Sequence, residues 1–130
     1  MRTEDGRADL KQRTRDFALL VVRLYAALPG SVMAQTLGRQ LLRSGTSVGA
    51  HYREAIRSRS DAEYVSKVEG TLQELEETTY WLELLADSGA CKATAAELLR
   101  QEADELAAIL VTCAKKVKAR RMEKRHSGRT

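Results

Sequence analysis

The chain has 130 residues, enough for one hydrophobic core and too few for two, so we expect a single domain. One Pro, one Phe, one Trp and four Tyr are a composition that favours helices over sheets. The formal net charge of +4 is compatible with an acidic partner such as nucleic acid.

The positive charge is concentrated at the C-terminus. Residues 115–130 contain eight basic residues and one acidic residue, a net charge of +7, so the remaining residues sum to −3. Two interpretations stay open: such a tail can follow a phosphate backbone, or it can be a solvated chain end. We predict a basic C-terminal tail over residues 116–130 and a flexible N-terminus over residues 1–9.

The sequence shows neither a signal peptide nor an apolar run long enough to span a membrane. It therefore predicts a cytoplasmic protein without membrane contact. Cys91 and Cys113 lie about 30 Å apart if one helix covers most of the interval, so they cannot pair and we expect two reduced thiols.

Apolar residues recur at helical spacing in four segments. The predicted helices cover residues 10–28, 33–58 and 60–87, with a fourth that starts at Thr94. Ser60-Asp-Ala-Glu63 and Thr94-Ala-Ala-Glu97 have the form of capping boxes, which mark helix starts. No segment alternates like a strand. Because the connections are short, the predicted fold is all-α, an antiparallel up-and-down four-helix bundle over residues 10–115.

The second helix carries a seam of glycines. On a wheel of 100° per residue, Gly38, Gly45 and Gly49 fall within about 40° of one another. Glycine in a helix interior costs about 1 kcal/mol relative to alanine, so three on one line predict close approach of another helix or subunit. The alternative is a loop at Ser44-Gly45-Thr46 that divides the helix in two.

The same helix carries a stripe of arginines opposite its apolar residues. The stripe can bind phosphates together with the tail, and the predicted nucleic-acid-binding residues are Arg39, Arg43, Arg53, Arg57, Arg59, Lys115, Lys116, Lys118, Arg120 and Arg121. It can instead pair with a heptad of carboxylates on the third helix, Glu69, Glu76 and Glu83, within one chain or between subunits. In that case the arginines are structural.

Catalytic and metal-binding patterns are absent from the sequence. It contains no P-loop, GxGxxG or GxSxG motif. The one Glu-x-x-His spacing, Glu123-Lys-Arg-His126, lies in the tail, and His51 has no partner at a suitable spacing. We predict no catalytic residue, no metal site, no cofactor and no enzyme activity.

Three runs of sequence are distinctive: Thr14–Pro29 (TRDFALLVVRLYAALP), Gln40–Ala55 (QLLRSGTSVGAHYREA) and Tyr80–Leu85 (YWLELL). Over roughly residues 10–115 the chain resembles the bacterial four-helix-bundle family named for the 23S ribosomal RNA intervening-sequence protein. It departs from the family pattern at His51, where the family often has Asn, and in its basic tail.

The resemblance implies an up-and-down bundle that assembles into a homopentamer and has no known catalytic activity. A relative of the family, the accessory variability determinant of diversity-generating retroelements, is similar and binds nucleic acid and a reverse transcriptase. The resemblance favours a non-enzymatic oligomeric scaffold for structured RNA or DNA. The alternative is a pentameric adaptor for a partner protein, such as a reverse transcriptase, with its arginines used in salt bridges.

Overall fold

The structure, a computed structural model, describes residues 7–127 and the side chains of residues 10–126. Over that range the chain forms four α-helices and no strand: α1 (Arg7–Ala26), α2 (Val32–Ile56), α3 (Asp61–Asp87) and α4 (Ala93–Ser127). Of the predicted flexible N-terminus, residues 1–6 lie outside the described range and residues 7–9 already belong to α1. The all-α prediction is confirmed.

The connection between α1 and α2 is short. Pro29 and Gly30 lie in it, directly before Ser31, the N-cap of α2. The Ser31 hydroxyl accepts a hydrogen bond from the Ala34 amide at 3.2 Å, which satisfies one of the free N–H groups at the helix start. α2 then continues without a break through Gly45. The alternative of a loop at this position is wrong.

The predicted ends of α3 are confirmed. The Ser60 hydroxyl accepts from the Glu63 amide at 3.1 Å, and the Glu63 carboxylate accepts from the Arg59 amide, one residue before the partner that a standard capping box uses. At the other end Gly89 has a φ of +79°, a left-handed conformation that glycine adopts without strain.

The predicted start of the fourth helix is wrong. α4 begins at Ala93, so Thr94 lies inside its first turn, and the first backbone bond runs from the Ala96 amide to the Lys92 carbonyl. α4 also continues beyond Lys115 to Ser127, so most of the predicted tail is helix. It continues because Val117 is buried, which anchors the basic segment to the rest of the protein.

Sequential helices pack side by side and antiparallel around one core. Val21 of α1 faces Gly45 of α2, while Thr14, nearer the start of α1, faces Gly49. Between α2 and α3 the buried Thr78 hydroxyl donates to the Ser44 hydroxyl at 2.9 Å, which fixes the register of the two helices. The largest fully buried side chains are Tyr52, Phe17, Leu10, Leu41, Leu75, Leu82, Leu85, Leu106 and Leu110.

α1 and α4 complete the ring of helices but make the least contact of the four neighbouring pairs. Their firmest link is an ion pair from Arg13 Nη2 to Glu102 Oε1 at 2.6 Å. None of the helices in the described part of the chain has the length and apolarity to cross a membrane.

The glycine seam lies between α1 and α2 inside one chain. A Cβ added at Gly38 would stand 2.5 Å from Leu28 Cδ1, and one at Gly45 would stand 2.7 Å from Val21 Cγ2. At Gly49 the nearest atom would be Thr14 Oγ1 at 3.3 Å. The three glycines therefore let the side chains of α1 rest directly on the backbone of α2, and a larger residue would push the helices apart.

We expect Gly45→Ala to lower the free energy of unfolding by about 1 kcal/mol. Overpacking against Val21 costs about 1–3 kcal/mol, and the better helix propensity of alanine returns part of it. Urea denaturation monitored by circular dichroism measures the change.

Gly70→Ala is the matched control, because its Cβ would meet nothing closer than His51 Nδ1 at 3.8 Å. We expect this variant to raise the free energy of unfolding by up to about 1 kcal/mol through helix propensity alone. Equal stabilisation by both substitutions would contradict the close approach of α1 and α2.

Candidate nucleic-acid interface

The arginine stripe of α2 faces away from the core. Arg39, Arg43, Arg53 and Arg57 are exposed, while Leu41, Val48 and Tyr52 on the opposite side of α2 are fully buried. α1 covers the glycine seam, so the arginine side is the part of α2 left to solvent. The stripe spans about 27 Å from Arg39 to Arg57 at 1.5 Å per residue.

Arg43 differs from the other stripe residues because it is held by α3. Its guanidinium pairs with the Glu77 carboxylate, and Nη1 lies 3.8 Å from Glu74 Oε2. Its Nε also donates to Gln40 Oε1 at 3.3 Å. Trp81 Nε1 donates to the same Glu77 oxygen at 3.2 Å, so Glu77 joins α2 to the aromatic side chain of α3.

This contact compensates a buried charge. Glu74 Oε2 is buried and accepts no hydrogen bond from any described residue, so the Arg43 guanidinium is the cation that offsets it. Arg43 is therefore part of the α2–α3 interface. Its availability to a phosphate is correspondingly reduced.

Arg39, Arg53 and Arg57 have no ion pair or side-chain hydrogen bond with any residue in the described range. Glu54, which adjoins Arg53 on α2, accepts instead from Lys67 Nζ of α3 at 2.8 Å. This hydrogen bond lowers the pKa of the Glu54 carboxyl from its usual value. Glu54 is the only carboxylate on the last three turns of α2, and it is paired with Lys67. The nearby arginines therefore remain available to an external anion.

The predicted pairing of the arginine stripe with Glu69, Glu76 and Glu83 does not occur within the described part of the chain. Glu69 lies 3.5 Å from Lys118 Nζ of α4. Glu76 and Glu83 are exposed beside a shallow groove between α3 and α4. Sequence reasoning missed Glu74 and Glu77. Glu74 lies four residues before the buried Thr78, and Glu77 lies four residues before Trp81, which places both carboxylates next to the α2 side of α3.

The basic segment of α4 lies at the same end of the molecule as the α2–α3 connection. Arg59 and Arg120 line one hollow of about 170 Å³, with Ser58, Ser60 and Tyr64 also in its wall. The other exposed cations of this segment are Lys115, Lys116, Lys118, Lys124 and Arg125, and Arg121 is half-buried. We call this region the basic end, defined by Arg57, Arg59 and residues 115–125.

The structure thus separates the predicted nucleic-acid-binding residues into three groups. Arg57, Arg59 and the cations of α4 gather at the basic end, while Arg39 and Arg53 extend it along α2. Arg43 is ion-paired in the α2–α3 interface. Among the described residues no group of three or more His, Cys, Asp or Glu side chains is arranged to hold a metal ion.

The fold and its charged surface define an all-α, four-helix protein with one strongly basic end. Residues 7–112 match the family model described as 23S rRNA-intervening sequence protein. The chain belongs to this family, as the sequence predicted.

A solved structure supports the same assignment. It is a crystal structure of a protein with unknown function from the S23 ribosomal protein family of Bacteroides thetaiotaomicron VPI-5482. The two chains are 33% identical with a TM-score of 0.79, and the alignment covers 84% of this chain and 97% of the other. No protein with a curated description matches this chain.

We expect Arg43→Gln to lower the free energy of unfolding by about 1 kcal/mol, because it leaves the buried Glu74 oxygen without a compensating cation. The measurement is urea denaturation at neutral pH. Arg39→Gln is the matched control on the same helix, and we expect it to change the free energy by less than about 0.5 kcal/mol. Equal effects of the two substitutions would show that Arg43 has no structural role.

Proposed function

We propose that the protein is a non-enzymatic, self-assembling scaffold that binds structured nucleic acid, RNA or DNA, through contacts to phosphates. The observation that carries the proposal is the convergence of Arg57 and Arg59 with the cations of α4 at the basic end. Cations from the α2–α3 connection and from α4, two separate segments of the chain, match the electrostatic footprint of a backbone-binding surface.

Several features of the basic end suit phosphate contacts over base readout. Arg57 and Arg59 lie near the connection between α2 and α3, and the α4 cations project from a helix anchored by Val117. Arginine donates to a phosphate in a fork geometry, and lysine acts as a compact positive charge. Contacts of this kind position a nucleic acid and carry no sequence information directly.

The proposed assembly is the homopentamer that the family resemblance implies, and the proposed compartment is the cytoplasm. Two free thiols, Cys91 and Cys113, support the compartment because such thiols persist where the environment is reducing. The proposed activity requires no cofactor.

A second candidate function is a pentameric adaptor that docks a partner protein, for which a reverse transcriptase is the example that the resemblance supplies. The observation in its favour is Arg43, which is already used in a salt bridge with α3. Under this alternative the remaining arginines pair with carboxylates of a neighbouring subunit or of the partner. The two candidates differ in whether removing these cations changes the affinity for RNA.

We expect the double variant Arg59→Gln and Arg120→Gln to weaken binding of a structured RNA and to reduce its salt dependence. Each lost phosphate contact lowers the slope of log K against log salt by about 0.7 to 0.9. Fluorescence anisotropy with labelled RNA between about 50 and 200 mM salt measures both quantities. Substitution is preferable to deleting residues 116–130, because deletion would also remove the buried Val117.

The matched control removes two exposed cations from the opposite end of the molecule, with Arg23→Gln and Lys92→Gln. Both line a groove between α1 and α4, so the particle mass of this variant is measured beside its affinity. We expect this variant to keep the affinity and the salt slope of the unmodified protein within error. If both variants lose affinity equally, binding depends on net charge and the basic end is not the site. If neither changes the slope, the adaptor function is favoured.

A further inference from the structure

The second half of α1 is apolar on nearly all sides. Between Phe17 and Leu28 only Arg23 is charged. A helix that is apolar all round is normally buried on all sides. In the single chain, however, Leu19, Leu20 and Val22 are 37%, 44% and 40% exposed.

One of these exposed surfaces is concave. Because α1 and α4 make little contact, a groove of about 1000 Å³ opens between them at the end opposite the basic end. Leu20 and Leu24 of α1, with Leu28 just after its end, form one wall, and Leu98 and Leu99 of α4 form the other. Leu98 is 69% exposed, an unusual position for a leucine that faces another apolar wall.

The other exposed surface of α1 is convex. On a wheel of 100° per residue Leu19, Val22 and Ala26 lie within about 60° of one another and about 100° to 160° from Leu20. All three are exposed, and they form a narrow ridge that points away from the core. We call them the apolar ridge. The ridge and the α1–α4 groove are thus two separate apolar surfaces of the same chain.

Charged side chains stand beside both surfaces. Arg15 is exposed on the same side of α1 as the ridge, one turn before Leu19. Asp16 is exposed and lies on the rim of the groove, and the other charged residues that line the groove are Arg23, Lys92 and Glu102. A ridge seated in the groove with the two α1 helices side by side would pair Arg15 of one copy with Asp16 of the other.

We propose that the α1–α4 groove of one copy receives the apolar ridge of a second copy of this chain. The inference rests on the proposed self-assembly and names the surfaces that form the contact. The chain itself supplies both halves, an apolar ridge and an apolar groove of opposite shape with an arginine and an aspartate beside them. The contact joins different patches on the two partners, so repetition closes a ring when the rotation between copies allows it.

This arrangement leaves the nucleic-acid surface free. The groove is lined by the C-terminal half of α1 and the N-terminal part of α4, whereas the basic end includes residues 115–125 at the other end of α4. A ring formed through the groove would therefore repeat the basic end around its axis. Several copies of a phosphate-binding surface in one particle increase affinity through effective concentration.

The test is the mass of the full chain, measured by light scattering over a range of concentrations. We expect the unmodified protein to be a multi-subunit particle. We expect Leu98→Glu and Leu20→Glu, each of which places a charge in the contact, to require at least about a tenfold higher concentration for half-assembly. Both side chains are substantially exposed in the single chain, so circular dichroism should show the same helix content in all variants.

Met122→Glu is the matched control, because Met122 is 65% exposed on α4 and lies outside the groove. We expect this variant to assemble as the unmodified protein does. The assembly of Leu98→Glu and Leu20→Glu at unchanged concentration would overturn the inference while leaving the proposed self-assembly intact. An unmodified protein that stays a single chain at all concentrations would overturn both, and nucleic-acid binding would still be decided by the salt slope.

A native thiol reports directly on the groove. Cys91 lines the groove and is half-buried, and this burial raises the pKa of its thiol. Cys113 is also half-buried but lies outside the groove. We expect a maleimide reagent to modify Cys91 several-fold more slowly in the assembled protein than in Leu98→Glu, with no change at Cys113. The carboxylate that Leu98→Glu introduces disfavours the Cys91 thiolate and so slows its reaction with the maleimide. It therefore cannot by itself produce the faster reaction that we expect in this variant. Equal rates at Cys91 in both proteins would contradict a groove covered by a second copy.

Discussion

The close approach of α1 and α2 across the glycine seam is the constraint on which the rest of the structure depends. With no Cβ at Gly38, Gly45 and Gly49, the side chains of Val21 and Leu28 occupy the space that larger residues on α2 would fill. α1 therefore packs mainly against α2 and makes much less contact with α4. The groove between α1 and α4 is a consequence of this asymmetric packing.

The same constraint determines what α2 shows to solvent. One side of the helix is taken by α1 at the glycines and another by the core at Leu41, Val48 and Tyr52. The remaining side carries the arginines. Each of these three sides of α2 therefore has one kind of neighbour. The arginine side is therefore a surface that the fold does not need for its core, apart from Arg43.

Properties that depend on local sequence could be predicted without the structure. The ends of α3, the continuity of α2 and the outward direction of the arginines follow from caps and helical period, which involve residues within one helix. Pairing between helices could not be predicted. The Ser44–Thr78 hydrogen bond fixes a register that places Arg43 beside Glu74 and Glu77, and no spacing along one helix contains that information.

The order of the C-terminal segment could not be predicted for a related reason. Its charge is typical of a solvated end, and Val117, although it continues the apolar stripe of the fourth helix, does not show how far beyond it the helix extends. Val117 is nevertheless buried where α4 passes the α2–α3 connection, so the helix continues and carries Arg120 to Arg59. The groove was missed because the apolar residues of α1 were assigned to a single core, although that core accommodates only part of them.

The two ends of the protein thus differ, with cations at one end and an apolar groove at the other. We propose that nucleic acid binds an assembled particle through phosphate contacts at the basic end. The most direct test is the particle mass, by light scattering, with and without a mixed structured RNA at about 50 and 200 mM salt. We expect a multi-subunit particle that gains RNA mass at the lower salt and loses most of it at the higher salt. A particle whose mass is unchanged by RNA at both salt concentrations would contradict this proposal.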